Sequence, residues 1–278
     1  MSPHGAFDPA ALGLELRPPG IWFARSRVAV SYPDDGNAAC RQVEDRSFWF
    51  RHRNRCIAQL VHRFAPGKTL LDIGGGNGFV ARGLVESGIG CVLLEPGVDG
   101  ALAAHERGVS TVICAGLEDV PFAPASFGSA GMFDVLEHIE DDLAALRGVH
   151  RLLEPGAHFF VSVPAWQALF SPEDEDAGHF RRYSPSSLRS TLRQAGFEPL
   201  FSTCLFAPLP LPVLASRVIP GWFGQRRSRD LSQAEAEHVP GPVAARLIDL
   251  MLNAEFRWLA AGRSMPFGTS CCAVALRN

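Results

Sequence analysis

A carboxylate followed at once by a run of glycines is a pairing with chemical content. Asp72-Ile73-Gly74-Gly75-Gly76-Asn77-Gly78 supplies both. Glycines let a backbone turn tightly and approach a ligand where a Cβ would clash, and Asp72 stands where it can meet an amino group. The spacing at Gly74, Gly76 and Gly78 lacks the third glycine of the dinucleotide fingerprint. A pyrophosphate has no use for a neighbouring carboxylate; a cationic amino-acid tail does. Glu95, followed by Pro96-Gly97, ends the next apolar stretch. A carboxylate there reaches the ribose hydroxyls of a nucleoside lying across a sheet edge.

Two further clusters carry candidate chemistry. Asp134, Glu137 and His138 are spaced D-x-x-E-H, which puts Asp134 and His138 on one face of a helical segment. A histidine ordinarily titrates near neutrality, so His138, with Asp134, is the candidate general base; equally, Glu137 and His138 cap and orient the next helix. Downstream, Gly178-His179-Phe180-Arg181-Arg182-Tyr183 follows the acidic stretch 173–176. Paired arginines clamp carboxylates or phosphates, and a tyrosine orients a hydroxyl. His179, Arg182 and Tyr183 are therefore candidate substrate-binding residues. The other reading is that Arg181 and Arg182 pair with the acidic stretch and pin it.

The elements that must position these groups alternate. Strand patterns fall at 69–73, 91–94, 111–114, 127–133, 158–163, 198–205 and 269–276, with helical patterns at 47–64, 79–87, 97–107, 141–153 and 185–194. Such alternation means a mostly parallel sheet covered by helices on both faces. The expectation is a Rossmann-like α/β fold of seven strands, the last antiparallel. Four segments are expected: an irregular Pro/Gly-containing arm over 1–40, a core over 41–205, an inserted cap or lid over 206–267, and a final core strand over 268–278. The insertion opens Leu205-Phe-Ala-Pro-Leu-Pro-Leu-Pro-Val-Leu214, whose three prolines argue against a regular helix.

On these motifs, most of residues 47–205 resembles the class I S-adenosylmethionine (SAM)-dependent methyltransferases. The resemblance implies SAM as cofactor, with Leu71 to Gly78 cradling its methionine part and Glu95 its ribose. The segment Glu118-Asp-Val-Pro-Phe122 is similar to the family's adenine-side loop, placing Leu117 near the adenine. Many relatives have aspartate where this chain has Gly116, which leaves adenine recognition to the backbone or to Glu118. The segments 133–142, 152–156 and 194–197 match further landmarks, and Phe133 joins the cofactor set with them. An arginine ahead of the first strand meets the SAM carboxylate in relatives; Arg53, in Phe48-Trp-Phe-Arg-His-Arg53, is its counterpart, while Trp49 and Phe50 are expected to pack in the core. In the similar ubiquinone-pathway and small-RNA terminal methyltransferases an E-x-x-E-H segment helps bind a divalent metal. Asp134, Glu137 and His138 could share such an ion, but no fourth ligand is evident and no metal is assigned.

Methyl transfer to a small-molecule or lipid- or sugar-linked acceptor, at oxygen, is the implied activity. A SAM-binding regulatory or assembly subunit without turnover is the alternative, which the intact Asp134, His138 and Tyr183 disfavour. Net charge is −3 and the pI near 6.3, against the basic excess of a nucleic-acid binder. Arg226-Arg-Ser-Arg229 beside the apolar 205–214 segment makes peripheral membrane contact through 205–229 a further expectation. The seven cysteines show no C-x-x-C spacing and read as reduced core residues. With no signal peptide and no apolar run of spanning length, the expectation is a cytoplasmic protein.

Overall fold

The computed structural model describes residues 8–25, 40–41, 43–222 and 241–278. Runs of three or four apolar residues seed its sheet. β3 (Leu70–Ile73), β4 (Cys91–Leu94) and β5 (Val112–Cys114) are buried at every position, as strands covered on both faces must be. With β1 (Glu15–Arg17), β2 (Ile21–Phe23), β6 (Phe127–Phe133), β7 (Leu153–Pro164), β8 (Phe197–Leu205) and β9 (Ser270–Arg277) they form one sheet, ordered β1-β2-β5-β4-β3-β6-β7-β9-β8. Neighbours from β2 to β7 pair in parallel; β9 runs antiparallel to both β7 and β8.

The seven expected strands are present, with the last antiparallel, but the sheet has nine. The first two belong to the arm that the Pro/Gly content suggested was irregular. They make a hairpin across Pro18-Pro19-Gly20 and extend the sheet beyond β5 through Trp22↔Ile113 and Phe23↔Cys114. This covers an edge that would otherwise expose unpaired backbone groups. Strands of three residues are too short to leave an alternation in the sequence.

Side chains alternate across the sheet. Leu71, Ile73, Val92 and Leu94 face one layer, with Leu146 and Val149 of α4 (Asp142–Leu152) and Leu188 and Leu192 of α6 (Pro185–Gln194). Leu70 and Leu93 face the other, with α1 (Phe48–Phe64), α2 (Phe79–Glu86) and α3 (Val98–Glu106). The short α5 (Pro172–Asp176) follows β7. Six of the seven cysteines are buried; Cys40 is half-buried.

Between β8 and β9 the chain is more helical than its prolines suggested. An α-turn, Pro210–Val213, runs into a π-turn, Leu214–Val218, and a second short helix, Ile219–Trp222. Pro210 and Pro212 lie in the first turn, where an amide has no intrahelical acceptor to lose; the irregularity comes after them. Residues 223–240, with Arg226 to Arg229, lie outside the described residues. The long α7 (Pro242–Ala260) then packs on α1 through Leu252, Phe256 and Leu259.

A buried knot fastens this insertion. Glu255 of α7 accepts from His52 Nε2 (2.8 Å) and from the amides of Phe206 (2.8 Å) and Ala207 (2.8 Å). Glu255→Ala strips all three donors of their acceptor at once. Urea unfolding should show a loss of about 3 kcal/mol; a loss under about 1 kcal/mol would mean that the knot does not hold the insertion.

Candidate active site

The glycine loop is fixed by what surrounds it. Gly78 caps α2 at φ +74°, and a Cβ there would lie 2.7 Å from that of Ala104. At Gly74, also left-handed, a Cβ would meet the Val135 side chain at 2.7 Å. Glu95, at the carboxyl end of β4, accepts from the amides of Gly76 (2.8 Å) and Gly97 (2.7 Å). It therefore bridges the two loops, and a carboxylate holds about four lone-pair sites, so it keeps capacity for hydroxyl donors.

Asp72 is buried at the end of β3, and its Oδ2 accepts no hydrogen bond among the described residues. Burial pushes its carboxyl up to about 7, against the pull of the Arg53 cation. Arg53 projects from α1, capped at Ser47 by Oγ bonds to the amides of Trp49 (3.1 Å) and Phe50 (3.3 Å). Its guanidinium lies 4.6 Å from the Trp49 ring centre and 5.3 Å from that of Phe50, and it forms an ion pair with Asp134. Asp134 ends β6 at φ +56° and also accepts from Ser162 Oγ (3.1 Å). Asp72, the glycine loop, Glu95, Arg53 and Asp134 thus meet at the carboxyl ends of β3, β4 and β6.

Beside them lies a second cluster. Glu137, in the 3-10 turn Leu136–His138, is wholly buried, and neither carboxylate oxygen accepts a hydrogen bond among the described residues. Burial pushes its carboxyl up to about 8. His138 is held down at about 4 by burial and by the neighbouring His179, whose ring centre is 4.6 Å away. Glu137, His138 and His179 each offer a ligand atom, and the three atoms lie within 4.8 Å of one another.

The 178–183 segment returns alongside β7: the Tyr183 amide donates to Pro164 O (2.9 Å) and the Phe180 amide to Glu137 O (2.8 Å). Of the three residues expected to bind substrate, only His179 faces the cluster. Arg182 is bidentate on Asp174 (2.8 Å for both bonds). Tyr183 is buried and donates its hydroxyl to Asp142 (2.7 Å), which also pairs with Arg181 (2.9 Å). Arg182 thus pairs with the acidic stretch, whereas Arg181 pairs outside it, with Asp142 and the Glu140 carbonyl. Phe133 is buried in the core, where it lines a small cavity with Ile57 and Phe160. Leu117 is half-buried in the 3-10 turn after β5, whose Gly116 amide donates to Asp119 Oδ2 (2.8 Å); that oxygen lies 3.0 Å from where a Cβ on Gly116 would stand.

The organiser missed in the sequence is Asp174. It receives His179 Nδ1 (2.8 Å), Arg182, and the amide (2.9 Å) and hydroxyl (3.1 Å) of Ser171. Burial raises its carboxyl, but the bonds from His179 and Arg182 outweigh it and hold it near 2. Ser171-Pro-Glu-Asp174 is a capping-box spacing, and that signal could have found it.

The methyltransferase-domain family model matches residues 49–200. A protein of Mycolicibacterium smegmatis named probable S-adenosylmethionine-dependent methyltransferase is 28% identical over 60% of this chain and 65% of its own length. A ubiquinone biosynthesis O-methyltransferase of Pseudomonas paraeruginosa is 26% identical over 34% of this chain and 44% of its own. The chain therefore spans less than two thirds of either relative. Among solved structures, phosphoethanolamine N-methyltransferase 2 of Haemonchus contortus, in complex with SAM, superposes with a TM-score of 0.56 at 16% identity, covering 88% of this chain and 57% of that one.

Arg182→Ala leaves Asp174 buried without its cation. The expected result is a loss of about 3 kcal/mol in stability, with partial recovery in Arg182→Lys. The Asp174 carboxyl lies near 2 in the fold against an ordinary 3.8. Its contribution is therefore complete above 3.8 and lost as pH falls through about 2. Acid unfolding of the wild type and the alanine variant should converge across that window; parallel curves would remove Asp174 from the account.

Proposed function

We propose, given that this chain belongs to the class I SAM-dependent methyltransferase family, that it moves the methyl group of SAM to an oxygen of a small-molecule or lipid- or sugar-linked acceptor. The observation that carries the cofactor half is Asp72: a buried carboxyl with a bare oxygen beside a glycine loop. It suits the ammonium of an amino-acid tail, which would supply the positive charge the pocket lacks. In this reading Arg53, whose Nε has no partner among the described residues, takes the SAM carboxylate. Glu95 takes the ribose, Leu117 lies against the adenine, and Phe133 backs the pocket from the core. The placement matches the rule that open α/β sheets bind ligands beyond the carboxyl ends of their strands.

Bound SAM supplies an electrophilic methyl on a sulfonium. The chain has to align an acceptor with it and take one proton. His138 is the base in this reading: held at about 4 by burial and by His179, its imidazole is neutral at pH 7, although this lowering makes it a weaker base than a histidine of ordinary basicity. Asp134, engaged by Arg53, has a positioning role in this scheme.

A second reading of the same cluster is favoured by the convergence of Glu137, His138 and His179. Two imidazoles and a carboxylate suit a divalent transition ion, and Glu137, buried without a donor, is the group such a charge would relieve. This set replaces the one suggested by the D-x-x-E-H spacing: Asp134 gives way to His179, because Asp134 is committed to Arg53. His138 would then hold the ion, which would polarise the acceptor hydroxyl. Exhaustive chelation decides between the two. Turnover abolished by EDTA and restored by magnesium or zinc is the expectation of the metal reading; full activity after chelation leaves His138 as the base.

The cofactor half has its own test. Free Asp72 is protonated below about 7, and an ammonium partner expels that proton. Affinity for SAM should rise about tenfold between pH 5 and pH 6 and level off above 7. Asp72→Asn should flatten that profile in calorimetric titrations; an unchanged slope would place the amino group elsewhere.

A further inference from the structure

α7 has two apolar faces: one packs on the body of the protein, and the other is exposed, its contacts among the described residues confined to Trp258 at the C-terminal end. Leu252, Glu255 and Leu259 turn inward onto α1. On the opposite side Val243, Leu247, Leu250, Ala254 and Trp258 follow one another at steps of four, three, four and four. At about 100° per residue these form one stripe along the whole helix. Their exposures are 82% for Val243, 58% for Leu247, 69% for Leu250 and 43% for Trp258, so the stripe is open over its full length. Leu211 and Ile219, in the helical run that precedes it, are exposed too. Contiguous apolar surface of this kind marks a docking face.

Charge says which partner. Arg246 and Arg257 lie on one flank of the stripe, both exposed. Residues 206–267 hold seven arginines against five acidic residues, a net +2, whereas the whole chain is −3; the remainder is therefore −5. One of those five acids, Glu255, is buried in the knot described above. Among the described residues on and just after this helix, Arg246, Arg257 and Arg263 are exposed against a single exposed acid, Asp249, so positive charge predominates beside the apolar stripe. No helix among the described residues is long and apolar enough to cross a membrane, so the stripe lies along a surface and does not enter end-on.

We propose that α7 docks in the plane of an anionic lipid bilayer, its apolar stripe in the headgroup–acyl boundary and its arginines on the phosphates. This is the pattern of interfacial amphipathic helices, whose binding combines buried apolar area with attraction to anionic lipid. Trp258, with the Arg263 guanidinium 4.6 Å from its ring centre, is the kind of side chain that sits at such a boundary. Joined to the methyl-transfer reading, and resting on it, docking narrows the acceptor to one carried in the bilayer. Through α1 and Phe206, α7 is fastened beside the carboxyl ends of the strands.

The test needs no turnover, so its failure is distinct from failure of the methyl-transfer reading. The full chain is sedimented with phosphatidylcholine vesicles, with and without 30% phosphatidylglycerol. Binding to the anionic vesicles is expected, at least tenfold weaker to neutral ones. Leu247→Glu/Leu250→Glu should lower it at least tenfold while Tm and SAM affinity stay unchanged, since both side chains already face water. Arg246→Glu/Arg257→Glu should lower it through charge alone. Absence of vesicle binding overturns the proposal: the stripe is then covered by the chain itself or left bare. Light scattering that shows a dimer, broken by the leucine variants and indifferent to vesicles, overturns it in favour of a second copy.

Discussion

Arg53 is a buried cation among acidic groups that outnumber it. It pairs directly with Asp134, and its charge eases the burial of Asp72 and Glu137. An ion taken out of water costs several kcal/mol unless it is compensated, and one guanidinium cannot compensate three carboxylates. Asp134 takes most of it. The other two carboxyls, pushed up to about 7 and about 8, answer by keeping their protons. A pocket in this state favours whatever brings positive charge to Asp72 or Glu137. That single imbalance links the cofactor reading and the metal reading, which otherwise concern different residues.

Arg53 holds its place because the turn of α1 that bears it is clamped from outside. Trp49 lies under its guanidinium and is itself stacked on Phe206 (5.3 Å, 12°). Phe206 is buried at φ +63°, a conformation that non-glycine residues rarely adopt. Its amide is fixed by Glu255, which also holds His52, the residue next to Arg53. The insertion between β8 and β9 is therefore part of the support of Arg53. A helix that touches a bilayer on one side would touch, through this knot, the helix that bears Arg53 on the other.

Asp174 plays the corresponding part across the pocket. A five-residue helix would have little hold on His179, but the carboxyl of Asp174 ties His179, Arg182 and Ser171 into one unit. The imidazole of His179 then faces His138 and not solvent. The conspicuous basic residues of this segment serve that arrangement, and Tyr183 anchors it to Asp142 on α4.

The continuous apolar runs of the central strands could form only a covered parallel sheet, so the seven-stranded core was legible from the chain alone. So were Asp72, the glycine turn and Glu95, because a strand end, a φ-permissive turn and a carboxylate are local and spaced by the strand–helix unit. Local spacing also put Asp134, Glu137 and His138 together. It could not tell which of them is free. Arg53 claims Asp134 from 81 residues away in the chain, and His179 enters from beyond β7, so the grouping of Glu137 with two histidines exists only after the sheet has formed. Arg182 and Tyr183 have the chemistry of substrate ligands in sequence; in the structure their polar groups are engaged by Asp174 and Asp142. The hairpin on β5 and the helix over 242–260 were hidden for the same reason. Strands of three residues leave no alternation, and an amphipathic helix with a second apolar face shows its sidedness only once a body covers one of the two.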